Sequence, residues 1–321
     1  MIGTKARLRS RAYFFAHDKI ARMPAFTYGW GEKGTSEGPF WIRFDRCTRK
    51  PDTWKEEIYR AARSVAASTT KPLWLCSSGG IDSEVMCRAF HDQNIPFSVL
   101  TLRHMGGTNM YDIRFAVEWC KARGVQHEIR DIDMVAFLTK GMDRFVQDGY
   151  PTEKPLHYMK MLMFEMIDEM GGFGVIGSGE QRYIVDPAIE KPTPQDVHLD
   201  LGVGYIASVE WCRRNNRMHE PFFMHHTAEL NLAFLEDPFV EFALRNPAPF
   251  RSLFNRFYIK QFVYHTVWLD LVPRVKYTGF EGVSAISIPA MERLRRIFGA
   301  RIQSAKIPIP MLLDQLRPLP A

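Results

Sequence analysis

Between Leu73 and Ile176 the apolar positions fall in short runs separated by longer segments in which they recur every third or fourth residue. The runs at Leu73 to Cys76, Phe97 to Leu102, Gln126 to Ile132 and Phe173 to Ile176 predict strands. Between them lie predicted helices: one carrying Val85, Met86, Ala89 and Phe90 on a shared face, one from Tyr111 to Arg123, and one from Leu156 to Met170. Strands alternating with helices predict an α/β fold, a parallel sheet with helices on both faces. In such sheets ligands sit beyond the carboxyl ends of the strands, so the loops after Cys76, Leu102 and Ile176 are expected to face one cleft.

The flanks read differently. Phe40 to Phe44 alternates like a strand after the turn-rich stretch Gly31 to Gly38, and Pro51 to Ala67 predicts a helix with Trp54, Ile58, Ala61, Ala62 and Val65 on one side. Residues 1–70 therefore form a small β-containing extension, closed by the Lys71-Pro72 break. Residues 71–190 form the main α/β core, and after Pro192 helical segments dominate to about Phe298, which gives a helical C-terminal part over 191–321. No internal repeat is visible.

The most specific chemistry lies in Ser77-Ser78-Gly79-Gly80-Ile81-Asp82-Ser83, placed where a strand meets a helix. First-turn N–H groups there lack intrahelical partners and attract anions, and two glycines let the backbone approach oxygen atoms closely. Hydroxyls on Ser78 and Ser83 add donors. Asp82 beside bare phosphate would repel it unless a divalent cation lies between them, so the loop predicts a nucleotide with Mg2+ and Asp82 as metal ligand. The pattern GxxxxGK[ST] is absent, so the lysine-bearing loop that grips a γ-phosphate is missing. Two glycine patterns of dinucleotide-binding type, Gly172 to Gly177 and Gly202 to Ala207, are set aside: the former lies before and within a strand, the latter lacks a clear preceding strand.

Composition adds bounds. With 321 residues, 46% of them hydrophobic, the chain can bury a large core. Lys and Arg outnumber Asp and Glu by 42 to 36, a net charge of +6 that suits a nucleotide as well as a nucleic acid, so nucleic acid is not favoured as a partner on charge alone. The five cysteines form no CxxC pair and sit in apolar stretches, which predicts buried reduced thiols and a cytoplasmic protein. No segment is long enough for a membrane span, and His219, His225, His226 and Glu229 match no zinc spacing.

The loop SSGGIDS resembles the signature of the N-type ATP pyrophosphatases, the PP-loop superfamily. Over roughly residues 70 to 285 the order of segments resembles the synthetase domain of the asparagine synthetase and β-lactam synthetase family. Val125 to Ile129, Ile176-Gly177-Ser178-Gly179-Glu180, Ala228 to Glu236, and Lys276 to Val283 after Val272-Pro273 carry the rest of the likeness. The resemblance implies a Rossmann-like, adenine nucleotide alpha hydrolase-like core. It also implies an AMP-forming ligase in which ATP adenylates a carboxylate and an amine or ammonia then makes the amide. Ser78, Gly79, Gly80 and Ser83 would hold pyrophosphate, Asp82 magnesium, and Gly179 would admit the adenosine. Glu180 and Glu229 would serve as base or orient the amine, and Lys276 would offset charge on the α-phosphate.

Departures from that family sharpen the expectation. Gln181-Arg182-Tyr183-Ile184 replace the usual Ser-Asp-Glu step, which leaves the second magnesium ligand to Asp186 or exchanges it for the guanidinium of Arg182. The glutamine-dependent members begin with a catalytic cysteine, whereas this chain begins Met1-Ile2, so no glutaminase domain is expected and an amine other than glutamine-derived ammonia is favoured. The partners expected are small-molecule carboxylate and amine substrates, with a homo-oligomer left open. The competing functions are a tRNA- or nucleobase-modifying relative, for example a thiolase, and a non-catalytic ATP-binding module.

Overall fold

The computed structural model describes residues 20–23, 25–31, 39–178, 182–255, 258–274 and 279–319. Strands β1 (Ile20–Arg22), β2 (Phe26–Trp30) and β3 (Phe40–Phe44) form a small antiparallel sheet, followed by helix α1 (Trp54–Ala67), whose Thr53 cap accepts from the Glu56 N–H. The core then alternates: β4 (Leu73–Cys76), α2 (Ile81–Asp92), β5 (Ser98–His104), α3 (Met110–Arg123) and β6 (His127–Ile132). Short helices α4 (Met134–Ala136) and α5 (Asp143–Gln147) flank a π-turn and lead to α6 (Pro155–Glu169) and β7 (Phe173–Ile176).

These four strands pair in the order β6-β5-β4-β7, all parallel, with Trp74 opposite Ser98 on one side and Gly174 on the other. The chain winds outward from β4 to β6 and then returns to the other side of β4. The order reverses between β4 and β7, and that switch point opens a crevice at the carboxyl ends of the two strands.

Side chains alternate across the sheet, and each face is buried under helices. Leu73, Leu75, Val99, Phe173 and Val175 share one core with Ile58 and Val65 of α1 and Val85, Met86 and Phe90 of α2. Trp74, Cys76, Leu100, Leu102 and Ile176 share the other with Tyr158, Met161 and Phe164 of α6. Gly174 is what lets α6 close on β7, because a Cβ there would sit 2.7 Å from the Phe164 ring. The glycines at 172 and 174 are thus packing residues.

Beyond the core, α7 (Val203–Arg214), α8 (Ala228–Leu235), α9 (Pro238–Arg245), α10 (Pro247–Asn255), α11 (Ile259–Val267), α12 (Ser284–Phe298) and α13 (Ile309–Leu316) make the C-terminal part mainly helical, as expected. One addition was not expected: β8 (Tyr183–Val185), β9 (Val197–Gly202) and β10 (Ser304–Pro308) form an antiparallel sheet in the order β10-β9-β8. Val197, Leu199 and Leu201 are buried, with His198 and Asp200 half-buried between them, so β9 does carry a period of two. A strand therefore does precede the glycine pattern of Gly202 to Ala207, but it is antiparallel to its neighbours and closes no βαβ unit. Phe26, Tyr28, Phe40 and Phe44 of the N-terminal sheet are buried in one core with Leu230 and Phe234 of α8 and Leu312 of α13. Among the described residues no helix is long and apolar enough to cross a membrane.

Candidate active site

The loop from Ser77 to Gly80 is held from three sides. The Ser77 N–H donates to Leu100 O at 2.9 Å, and Thr101 Oγ1 donates to Ser77 O at 2.8 Å, so the loop starts as an extension of the β4–β5 ladder. Gly79 has φ +75°, and a Cβ on it would lie 1.8 Å from Asp112 O in the first turn of α3. Arg274 Nε donates to Gly79 O at 3.0 Å from the opposite side. Only glycine fits at 79, since the backbone is left-handed and pressed against another backbone. Gly80 caps α2 without any side-chain hydrogen bond, and the Gly79 and Gly80 N–H groups reach Ser77 Oγ and Ser78 Oγ only at 3.3 Å. An incoming phosphate oxygen would improve on those long contacts.

Asp82 also has partners that the sequence does not predict. Its Oδ2 accepts from Lys260 Nζ at 2.6 Å and its Oδ1 from Tyr264 OH at 2.9 Å, both presented by α11. Both carboxylate oxygens are committed to protein donors, and among the described residues no group of three or more His, Cys, Asp or Glu could hold a metal ion. Each oxygen keeps a second lone pair, but a divalent ion there would lie beside the buried Lys260 ammonium and be repelled by it, so the residues present do not fit a magnesium ion at Asp82. The repulsion that the sequence reading solved with a metal is solved here by a buried ammonium. Glu84, two residues on in the same first turn of α2, is matched in the same way, by Arg88 and by Arg274 at 2.6 Å.

At the switch point lies a cavity of about 430 Å3. Ser77, Ser78, Gly80, Asp82 and Ser83 line it, together with Lys154, His157 and Lys160 from the start of α6 and with Ser178, Arg182 and Tyr205. Leu102, Met159, Met163, Ile176 and Phe280 make the apolar part of its lining. Lys160 Nζ donates to Ser178 Oγ, Arg182 donates to Tyr205 OH at 3.2 Å, and the Lys160 ammonium lies 5.2 Å from the Tyr205 ring centroid. A lining that combines a helix start, cationic side chains and apolar side chains suits a ligand with a polyphosphate and a flat apolar ring. His104, at the end of β5, also lines the cavity. Its N–H donates to Asn109 Oδ1 at 2.9 Å, and burial pushes its imidazole down to about 4, so it is neutral at pH 7.

Ser78, Gly80 and Ser83 line the cavity, and Gly79 shapes the loop from behind. Glu229 does not line it. Its Oε1 accepts from the Thr48 N–H at 2.8 Å and from Thr48 Oγ1 at 2.9 Å, tying α8 to the segment before α1. Asp186 accepts from the Ala188 N–H and is likewise not on the cavity wall. Gly179, Glu180 and Lys276 lie outside the described residues. Sequence reasoning missed Lys160 and Lys260. The spacing of Lys154, His157 and Lys160, every third residue at the start of a predicted helix, was the available signal for the first. All five cysteines are buried, and burial pushes the Cys47 and Cys120 thiols up to about 12 and those of Cys76, Cys87 and Cys212 well above their ordinary value.

No protein-family model matches the chain, and no curated protein matches it significantly. Among solved structures, the chain is similar to the NMN synthetase of Francisella tularensis at 12% identity and a TM-score of 0.32, covering 77% of this chain and 93% of that one. The NH3-dependent NAD synthetase of Campylobacter jejuni matches at 11% identity and a TM-score of 0.32, covering 70% of this chain and 100% of that one. A tRNA thiolase of Methanococcus maripaludis matches at 13% identity and a TM-score of 0.31, covering 66% of this chain and 79% of that one.

Proposed function

We propose that the chain is an ATP-dependent, AMP-forming ligase of the PP-loop type that adenylates a substrate carboxylate and passes the acyl group to an amine. The observation that carries this reading is the cavity at the β4/β7 switch point, whose lining brings together a helix start free of side-chain caps, Lys160 and a set of apolar side chains. In the first step a carboxylate oxygen attacks the α-phosphorus, the bond to the β-phosphate oxygen breaks, and pyrophosphate leaves into the loop of Ser78, Gly79, Gly80 and Ser83. In the second step the amine nitrogen attacks the acyl carbon, loses a proton, and expels AMP.

Lys160, held by Ser178, is assigned the developing charge on the α-phosphate, the role that the family resemblance gives to Lys276. Glu180, two residues beyond the cavity-lining Ser178, keeps the role of accepting the amine proton, and Gly179 that of admitting the adenosine. Glu229 and Asp82 are assigned no catalytic step. Thiolation through a cysteine of this chain is disfavoured because none of the thiols is exposed or activated as a thiolate.

The test is isotope exchange between pyrophosphate and ATP over a panel of carboxylic acids. Exchange that depends on one acid, and falls in Lys160→Met, supports the reading. ADP and phosphate as stoichiometric products would refute it.

A further inference from the structure

We propose that Lys260 is the resident counter-cation of Asp82, so that the carboxylate of this phosphate loop is committed to the fold and is not a metal ligand. Lys260 is only 6% exposed, and its ammonium lies 2.6 Å from Asp82 Oδ2. Tyr264, one helical turn further along α11, takes the other oxygen and is itself fixed, its ring stacked on Trp54 at 5.0 Å. The other carboxylate in the first turn of α2, Glu84, is already held by Arg88 and Arg274 and does not compete for Lys260. Each oxygen keeps a second lone-pair direction, but a divalent ion taking it would sit close to the buried Lys260 ammonium, and that like-charge repulsion disfavours an inner-sphere metal.

The consequence for the proposed nucleotide site is electrostatic. Asp82 faces the cavity beside Ser78 and Ser83, and unpaired it would repel a polyphosphate. Lys260, behind it, cancels that charge permanently, whereas a metal would have to be recruited at each turnover. Lys260 is not among the residues lining the cavity, so it is a positioning residue that acts through Asp82. What this says of the nucleotide rests on the loop being the phosphate site; the pairing itself rests on geometry alone.

The test uses the full chain in a thermal double-mutant cycle, Asp82→Asn, Lys260→Met and both together. Each single change leaves a buried charge without its partner and is expected to lower the unfolding midpoint by roughly 5 °C or more, with most of the loss recovered in the double variant. Mn2+ alone at millimolar concentration is expected to leave the wild-type midpoint unchanged. Additive losses, or a Mn2+-induced rise in wild type that Asp82→Asn abolishes, would overturn the proposal. Calorimetry with pyrophosphate separates this failure from that of the proposed function. Wild-type binding in EDTA supports both. Binding only with Mn2+, lost in Asp82→Asn, sinks the counter-cation and leaves the ligase standing. No binding in either condition sinks the phosphate site, while the thermal cycle still decides the pairing.

Discussion

Gly79→Ala is the most informative single substitution in this molecule, because the structure specifies two separate costs. A non-glycine residue at φ +75° costs about 1 to 2 kcal/mol. The new Cβ would also meet Asp112 O at 1.8 Å where ordinary contact begins at 3.4 Å, so the loop and α3 must part by roughly 1.6 Å, at about 1 to 3 kcal/mol. The total of about 2 to 5 kcal/mol predicts a midpoint lowered by roughly 4 to 10 °C. Displacement of the loop by more than an ångström predicts a fall in pyrophosphate exchange of at least ~100-fold. Gly124→Ala is the control. Gly124 ends α3 at φ +64° with nothing within 4 Å of a would-be Cβ, so only the backbone cost applies, about 1 to 2 kcal/mol, and exchange stays at the wild-type rate. Thermal unfolding and exchange measured on both variants decide the matter. If the two lose equal stability, or if Gly79→Ala exchanges normally, the contact with Asp112 is not what fixes the loop.

Three further outcomes are expected. Lys160→Met should lower the exchange rate by ~100-fold or more while moving the unfolding midpoint little, read from steady-state exchange beside a thermal scan. Glu229→Ala should leave the Thr48 N–H and hydroxyl without their acceptor and cost about 1 to 3 kcal/mol in urea unfolding, with exchange unchanged; loss of exchange in a folded variant would return Glu229 to the catalytic machinery. His104, neutral in the fold with its imidazole held down to about 4, takes up its proton in the unfolded chain from about pH 6.5 downward, so its contribution to stability is intact above pH 6.5 and is lost as the pH falls toward 4. His104→Gln should reduce the slope of unfolding free energy against pH in that window. His127 and His219 are shifted in the same direction and keep part of the slope in place.

The parallel core was legible because its signals are local. Leu73 to Cys76, the two glycines and the amphipathic start of α2 are contiguous, and each predicts its neighbour. The sheet of β8, β9 and β10 was not, because β10 completes it from about a hundred residues beyond β9 and the short alternation of Val197 to Leu201 sits between turn-rich segments. The site divided along the same line. The place of Ser78, Gly80 and Ser83 beside a cavity could be read from the loop itself, whereas the fate of Asp82 depended on Lys260, a lysine that joins it only through tertiary packing. Glu229 shows the converse: the likeness of its segment to a family motif carried a role with it, but the carboxylate is occupied by Thr48.

The charges around the phosphate loop are balanced from far down the chain. Lys260 lies 178 residues after Asp82, and Arg274 lies 190 residues after Glu84. During synthesis at about 5 to 20 residues per second, the loop and the first turn of α2 leave the ribosome on the order of ten to forty seconds before Lys260 and Arg274. In that interval Glu84 already has Arg88 four residues on, but Asp82 lacks its ammonium and would oppose the polyphosphate of the proposed nucleotide until α11 docks. Fragments ending before residue 258 should therefore be poor phosphate binders even where the parallel sheet has formed.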